Sequence, residues 1–115
     1  MIFYQKQSGR KPVVDFLEKL PSDEVAKVVG CLTSIEQLGF DCPRVLFRQI
    51  KGSLWEIKLR TGRSGYRFFY VCIKSNNLVL LHAYKKQSQK APKREIELAE
   101  KRMLEVYKDE SFYIS

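Results

Sequence analysis

Leu54-Trp55-Glu56-Ile57-Lys58-Leu59-Arg60 alternates apolar with charged residues, and two more extended runs follow it, Tyr66 to Ile73 and Leu78 to Tyr84. Period-two alternation is the mark of a half-buried strand, with Trp55, Ile57 and Leu59 on one face and Glu56, Lys58 and Arg60 on the other. Tyr66 to Ile73 is aromatic and β-branched, as strands are. The links Thr61 to Gly65 and Ser75-Asn76-Asn77 are too short for parallel crossovers, so the three runs pair antiparallel. Lys51-Gly52-Ser53 reads as a turn, Arg44 to Ile50 as a further short strand, and Met1 to Gln5 as an edge strand.

Helical spacing flanks these strands. From Pro12, Val13, Phe16, Leu17 and Leu20 form one stripe, and proline suits a first helical turn because its missing N–H would lack a partner there. Ser22 is an expected N-cap with Asp23 and Glu24 behind it. Val25, Val28, Val29, Leu32 and Ile35 make a second stripe that Gly39 ends. Pro92 starts a last helix, striped by Ile96, Ala99, Met103 and Val106, and the tail after Lys108 has no clear period. The expected fold is α+β: a small antiparallel sheet of about three to five strands, with an N-terminal helical hairpin and a C-terminal helix on one face.

The 115 residues match one domain, read as 1–115. An apolar share of 44% makes a globule rather than a disordered basic tail. The opening MIFYQKQSGRK lacks a signal-peptide pattern, and no window nears the ~20 apolar residues of a membrane span, so a cytoplasmic protein without membrane contact is expected. Cys31, Cys42 and Cys72 are scattered and His82 is the sole histidine, which leaves no clustered zinc ligands. No metal or other cofactor is expected.

Charge is the strongest functional signal. From Arg44 to Arg94 there are thirteen Lys or Arg and one acid, Glu56, a balance of +12, while the rest of the chain carries −4. Such a one-sided field suits a polyanion, and nucleic acid is the usual one. One carboxylate cannot hold a two-metal nuclease site. RNA, however, brings its own nucleophile, the 2′-hydroxyl. A protein then needs only to align it, neutralise the phosphorane and move protons.

Lys58 and Arg60 share a face, Arg67 begins the next strand, and Leu80, His82 and Tyr84 are expected on one face of the third, with Lys85 and Lys86 just past its end. Each has a plainer reading: a solvated face for Lys58 and Arg60, a tie to backbone carbonyls for Arg67, a packed rim histidine for His82, solubility for Lys85, Lys86 and Lys90. Their co-location favours a phosphate-handling edge. The candidates for chemistry are Arg67, Lys58, His82 and Lys85. Arg60, Arg48, Arg63, Tyr84, Lys86 and Lys90 are the candidates for nucleic-acid contact.

The segments LWEIKLR, YRFFYV and LVLLHAYKKQSQKAP together resemble HigB-type toxins of the RelE/ParE superfamily, over roughly residues 1–107. The resemblance implies a small α+β toxin that enters the ribosomal A site and cleaves translated mRNA, and a HigA-like helix-turn-helix antitoxin bound in a hetero-oligomer. By position it gives Arg67 the scissile phosphate, Lys58 and Arg60 basic strand positions, and Lys85 and Lys86 the basic segment after the last strand. His82, Lys58 and Tyr84 remain alternative general bases. ParE-like relatives share the fold yet poison DNA gyrase, and a non-catalytic nucleic-acid-binding domain is a further alternative.

Overall fold

A computed structural model describes residues 1–114. The elements run β1 (Ile2–Phe3), α1 (Pro12–Glu18), α2 (Ser22–Leu38), a 3₁₀ turn (Gly39–Asp41), β2 (Leu46–Lys51), β3 (Leu54–Arg60), β4 (Gly65–Ile73), β5 (Asn77–Lys85), α3 (Lys93–Lys108) and a short α4 (Glu110–Tyr113). The three alternating runs are β3, β4 and β5, paired antiparallel as their short links require. The sheet order is β1-β5-β4-β3-β2, and β1 joins β5 in parallel, so the sheet is mostly rather than wholly antiparallel.

Helices cover both faces of the sheet, not one. Val13, Leu17, Val28, Leu32 and Ile35 from α1 and α2 pack on Ile57, Leu59, Phe68, Tyr70 and Leu80. Ala99 and Val106 of α3 pack on Leu54, Phe69, Val71, Val79 and Leu81 of the opposite face. β4 is therefore buried on both sides, and Phe68 and Phe69 are both fully enclosed. Each contributes about 1.5–3 kcal/mol relative to an exposed ring. The one-face expectation failed because apolar residues on both sides of a strand do not reveal which helix covers which side.

A bulge changes the parity of β5. Phe69 stands opposite His82 but Tyr70 stands opposite Leu80, so Leu81 is an extra residue. One inserted residue turns all that follows to the other face. Leu80 consequently sits in the hairpin-side core while His82 and Tyr84 lie on the α3 side, against Phe69. The expectation that Leu80, His82 and Tyr84 share a face is corrected on this ground. A smaller correction concerns α2: Ser22 is its first residue, Pro21 occupies the cap, and no side chain caps it. Gly39 closes the helix at φ +63°, a conformation costly for residues with a Cβ.

Candidate nucleic-acid cleft

α3 covers only part of its face of the sheet. Beyond it, where β3 ends and β4 begins, lies an open cleft of about 330 Å³ lined by Arg44, Leu46, Lys58, Leu59, Arg60, Gly65, Tyr66, Arg67, Lys86 and Gln89. Among the described residues the lining holds five cations and no acid. Lys58 stands directly opposite Arg67 across the β3–β4 ladder, and Arg67 opposite Tyr84 across β4–β5. Like charges in directly opposed positions repel, and something must offset them.

Glu56 supplies that offset. It lies on the same face as Lys58, two residues earlier, and its Oε2 accepts a 3.0 Å hydrogen bond from Nη1 of Arg67. The Arg67 side chain is 3% exposed and that of Glu56 0%. Nη2 of Arg67 donates to the Gln89 carbonyl at 3.1 Å, which ties the basic loop after β5 to the cleft floor. Lys86 runs along the wall beside Gly65, where an added Cβ would come within 3.3 Å of its Cδ. Its Nζ donates to Oε1 of Gln89 at 3.2 Å.

Lys58 is held below the ordinary lysine range. Partial burial is the largest cause, the charges of Arg67 and Arg48 add to it, and Glu56 opposes it. A lysine that gives up its proton more readily than usual is suited to proton transfer. Tyr84, half-buried against Phe69 and His82, has its hydroxyl pushed up to about 12, chiefly by burial and then by the Glu56 charge.

Of the residues singled out from the sequence, the fold brings Lys58, Arg60, Arg67 and Lys86 together. Arg48 borders the group, with its Nε 4.0 Å from Oε1 of Glu56. Arg63 turns away to pair with Asp23 of α2 at 3.1 Å. Lys85, opposite Tyr66 in register, and the exposed Lys90 are not among the lining residues.

His82 lies outside the lining too, with both ring nitrogens engaged on α3: Nε2 is 2.8 Å from Glu95 Oε1, and Nη1 of Arg102 is 3.3 Å from Nδ1. Arginine only donates, so Nδ1 accepts and Nε2 carries the proton given to Glu95. Burial keeps this imidazole below its usual pKa, against the pull of Glu95.

Sequence reasoning did not single out Arg44, at the rim of the cleft. It follows Pro43 in a turn and has φ +68°. Proline followed by a positive-φ residue is the pattern of a type II turn, where glycine is the ordinary choice. The Pro43-Arg44 pair is the signal that could have drawn attention to it.

Among the described residues no three His, Cys, Asp or Glu side chains gather as a metal site would need. Nor is any described helix long and apolar enough to cross a membrane.

The five-stranded, mostly antiparallel sheet and its helices are compatible with a RelE-like fold, and comparison with protein families supplies the assignment. Residues 15–104 match the family model described as Phage derived protein Gp49-like (DUF891), and the chain belongs to that family. The family is one of RelE/ParE-like toxins of toxin–antitoxin systems, which implies an antitoxin as partner. No curated protein matches the chain.

Proposed function

We propose that the protein is a metal-independent endoribonuclease of the HigB type that cuts mRNA on the ribosome, with the cleft between the ends of β3 and β4 as its active site. The observation that carries this reading is Lys58 set opposite Arg67 in a cleft of five cations without a lining acid. A scissile phosphate placed there meets Arg67 on the floor and Arg60 and Lys86 on the walls. These charges neutralise the phosphorane. Lys58, in its neutral form, takes the proton of the 2′-hydroxyl, whose oxygen attacks phosphorus in line as the P–O5′ bond breaks and the leaving 5′-oxygen takes a proton from solvent water, giving a 2′,3′-cyclic phosphate and a 5′-hydroxyl end. Lys58 is preferred over His82 as the base because both His82 nitrogens are already engaged.

The ribosome would supply the rest of the substrate geometry and place the protein in the cytoplasm. The antitoxin would be a HigA-like helix-turn-helix protein that silences the toxin as a hetero-oligomer, by covering the cleft or by preventing entry to the A site through bulk. The test is primer-extension mapping of mRNA ends in a translation reaction, comparing wild type with Lys58→Met. New ends with wild type that vanish with the variant support the reading. Intact mRNA with wild type overturns it, and inhibited supercoiling by the same protein would point instead to gyrase.

A further inference from the structure

The cations around the cleft differ in how far they are already engaged. Arg67 holds Glu56 and the Gln89 carbonyl, Lys86 holds the Gln89 side chain, Arg48 faces Glu56 and Arg63 is drawn off to Asp23. Arg44 is exposed, lines the cleft, and has no salt bridge or side-chain hydrogen bond among the described residues. Lys58 and Arg60 have none among the described residues either, so these three charges are free for a ligand, and of the three Arg44 alone stands outside the β3–β4 ladder. It stands beside Leu46 ahead of β2, while Lys86 and Gln89 reach the same end of the sheet from the loop after β5, on the other side of β3 and β4.

The backbone adds an independent observation. At φ +68°, Arg44 occupies the left-handed region, which a residue with a Cβ adopts at a cost and glycine adopts freely. If this position served only to turn the chain into β2, glycine would serve better. Strain held at a residue lining a charged cleft points to a use for its side chain.

We propose that Arg44 is a phosphate anchor distinct from the groups at the scissile bond, gripping a neighbouring phosphodiester of a single-stranded RNA laid across the cleft. The strained turn holds the guanidinium at the rim, and the anchor fixes the register of the strand over Lys58 and Arg67. This assignment rests on the nuclease reading above. It adds a contact that binds and aligns but moves no proton.

The experiment measures binding of a 2′-O-methyl oligoribonucleotide, which lacks the nucleophile, across a salt series. It compares wild type, Arg44→Gly, Arg44→Lys and Lys27→Ala, the last an exposed cation on α2 outside the cleft. Each phosphate contact on a single strand contributes about 0.7 to the slope of log affinity against log salt. Arg44→Gly is expected to lower the slope by about that much, to raise KM for ribosome-bound mRNA with kcat little changed, and to unfold no earlier than wild type. Arg44→Lys should keep the slope.

A slope change for Arg44→Gly no larger than that of Lys27→Ala overturns the anchor and leaves the nuclease reading standing. A wild type that leaves ribosome-bound mRNA uncut overturns the nuclease reading instead, and the slope still decides whether Arg44 holds a phosphate.

Discussion

Arg67 donates from Nη1 to Oε2 of Glu56 at 3.0 Å, and neither side chain has more than a trace of exposure. Oε1 of the same carboxylate is buried without a hydrogen-bond partner among the described residues, with the Nε of Arg48 at 4.0 Å. The arginine best placed to meet a phosphate is also half of a buried ion pair.

Removing Arg67 alone should therefore damage the fold as well as the chemistry. Arg67→Ala leaves a buried carboxylate uncompensated, and breaking such pairs costs about 3–5 kcal/mol. Replacing both partners, as in Glu56→Leu with Arg67→Met, should recover most of that loss while leaving the protein inactive. Urea unfolding of both variants measures the difference. A loss below about 1 kcal/mol in the single variant would contradict a desolvated pair.

Lys58 offers the cleaner separation of chemistry from folding. Lys58→Arg keeps the positive charge but cannot shed its proton at working pH, so kcat should fall by roughly 10²–10⁴ with KM little changed. If the neutral amine is the base, wild-type cleavage should rise with pH and level off below the ordinary lysine value of 10.5. Lys58→Met should lack that limb. The same depression makes the unfolded chain the tighter proton binder between the lowered and ordinary values, so stability gains as pH rises through that window. Single-turnover rates across pH, with matched unfolding curves, check both statements.

His82 should matter to stability rather than to cleavage. Its folded pKa lies below the usual 6.5 because burial disfavours the charged ring. The unfolded chain therefore takes the proton first on acidification. The contribution is complete above the usual value and is lost as pH falls from there through the depressed one. His82→Gln should lower the melting temperature, flatten its pH dependence over that range, and leave kcat near wild type. A variant that folds as well as wild type but cuts more than 100-fold more slowly would restore His82 to the catalytic group.

Glu24 joins the start of α2 to the loop between β3 and β4. It accepts a 2.7 Å bond from the Tyr66 hydroxyl and a 2.9 Å bond from Thr61. The Tyr66 bond is the largest cause of its depressed pKa, with Thr61 and the charge of Arg63 acting in the same direction against burial. A depressed carboxylate stabilises above its ordinary value of 4.5, and that stability is lost as pH falls through the folded value. Tyr66→Phe should weaken this acid dependence and lower the urea midpoint, as measured by unfolding at neutral and acidic pH.

The strands were the most legible part of the chain, because Leu54 to Arg60 alternates cleanly and short turns admit only antiparallel neighbours. The pairing of Glu56 with Arg67 was not, since it depends on a register that puts Lys58 opposite Arg67 and leaves Glu56 one step along the face. The residues 54 to 60 announce an acid among cations; they do not announce that it is buried. Arg63 finds Asp23 forty positions away in the chain, and His82 finds Glu95 and Arg102 only because α3 packs on the face that the bulge selects. Lys58, Arg60, Arg67 and Lys86 could be picked out together because alternation and strand order alone bring them near one end of the sheet.

Leu81, the extra residue of β5, has a consequence for how the chain tolerates change in length. Deleting it would leave Leu80 followed directly by His82, opposite Tyr70 and Phe69 in turn, so Leu80 would keep the hairpin side and His82 and Tyr84 the α3 side. The cleft would keep Lys86 and the Gln89 carbonyl that fixes Arg67, and the loss would fall on the core instead: one fully buried leucine, and the carbonyl that accepts from Nη1 of Arg102. The phosphate-handling end is thus insulated from the loss of this one leucine, whereas loss of the paired Ala83 would turn Tyr84 and the basic loop after it to the other face.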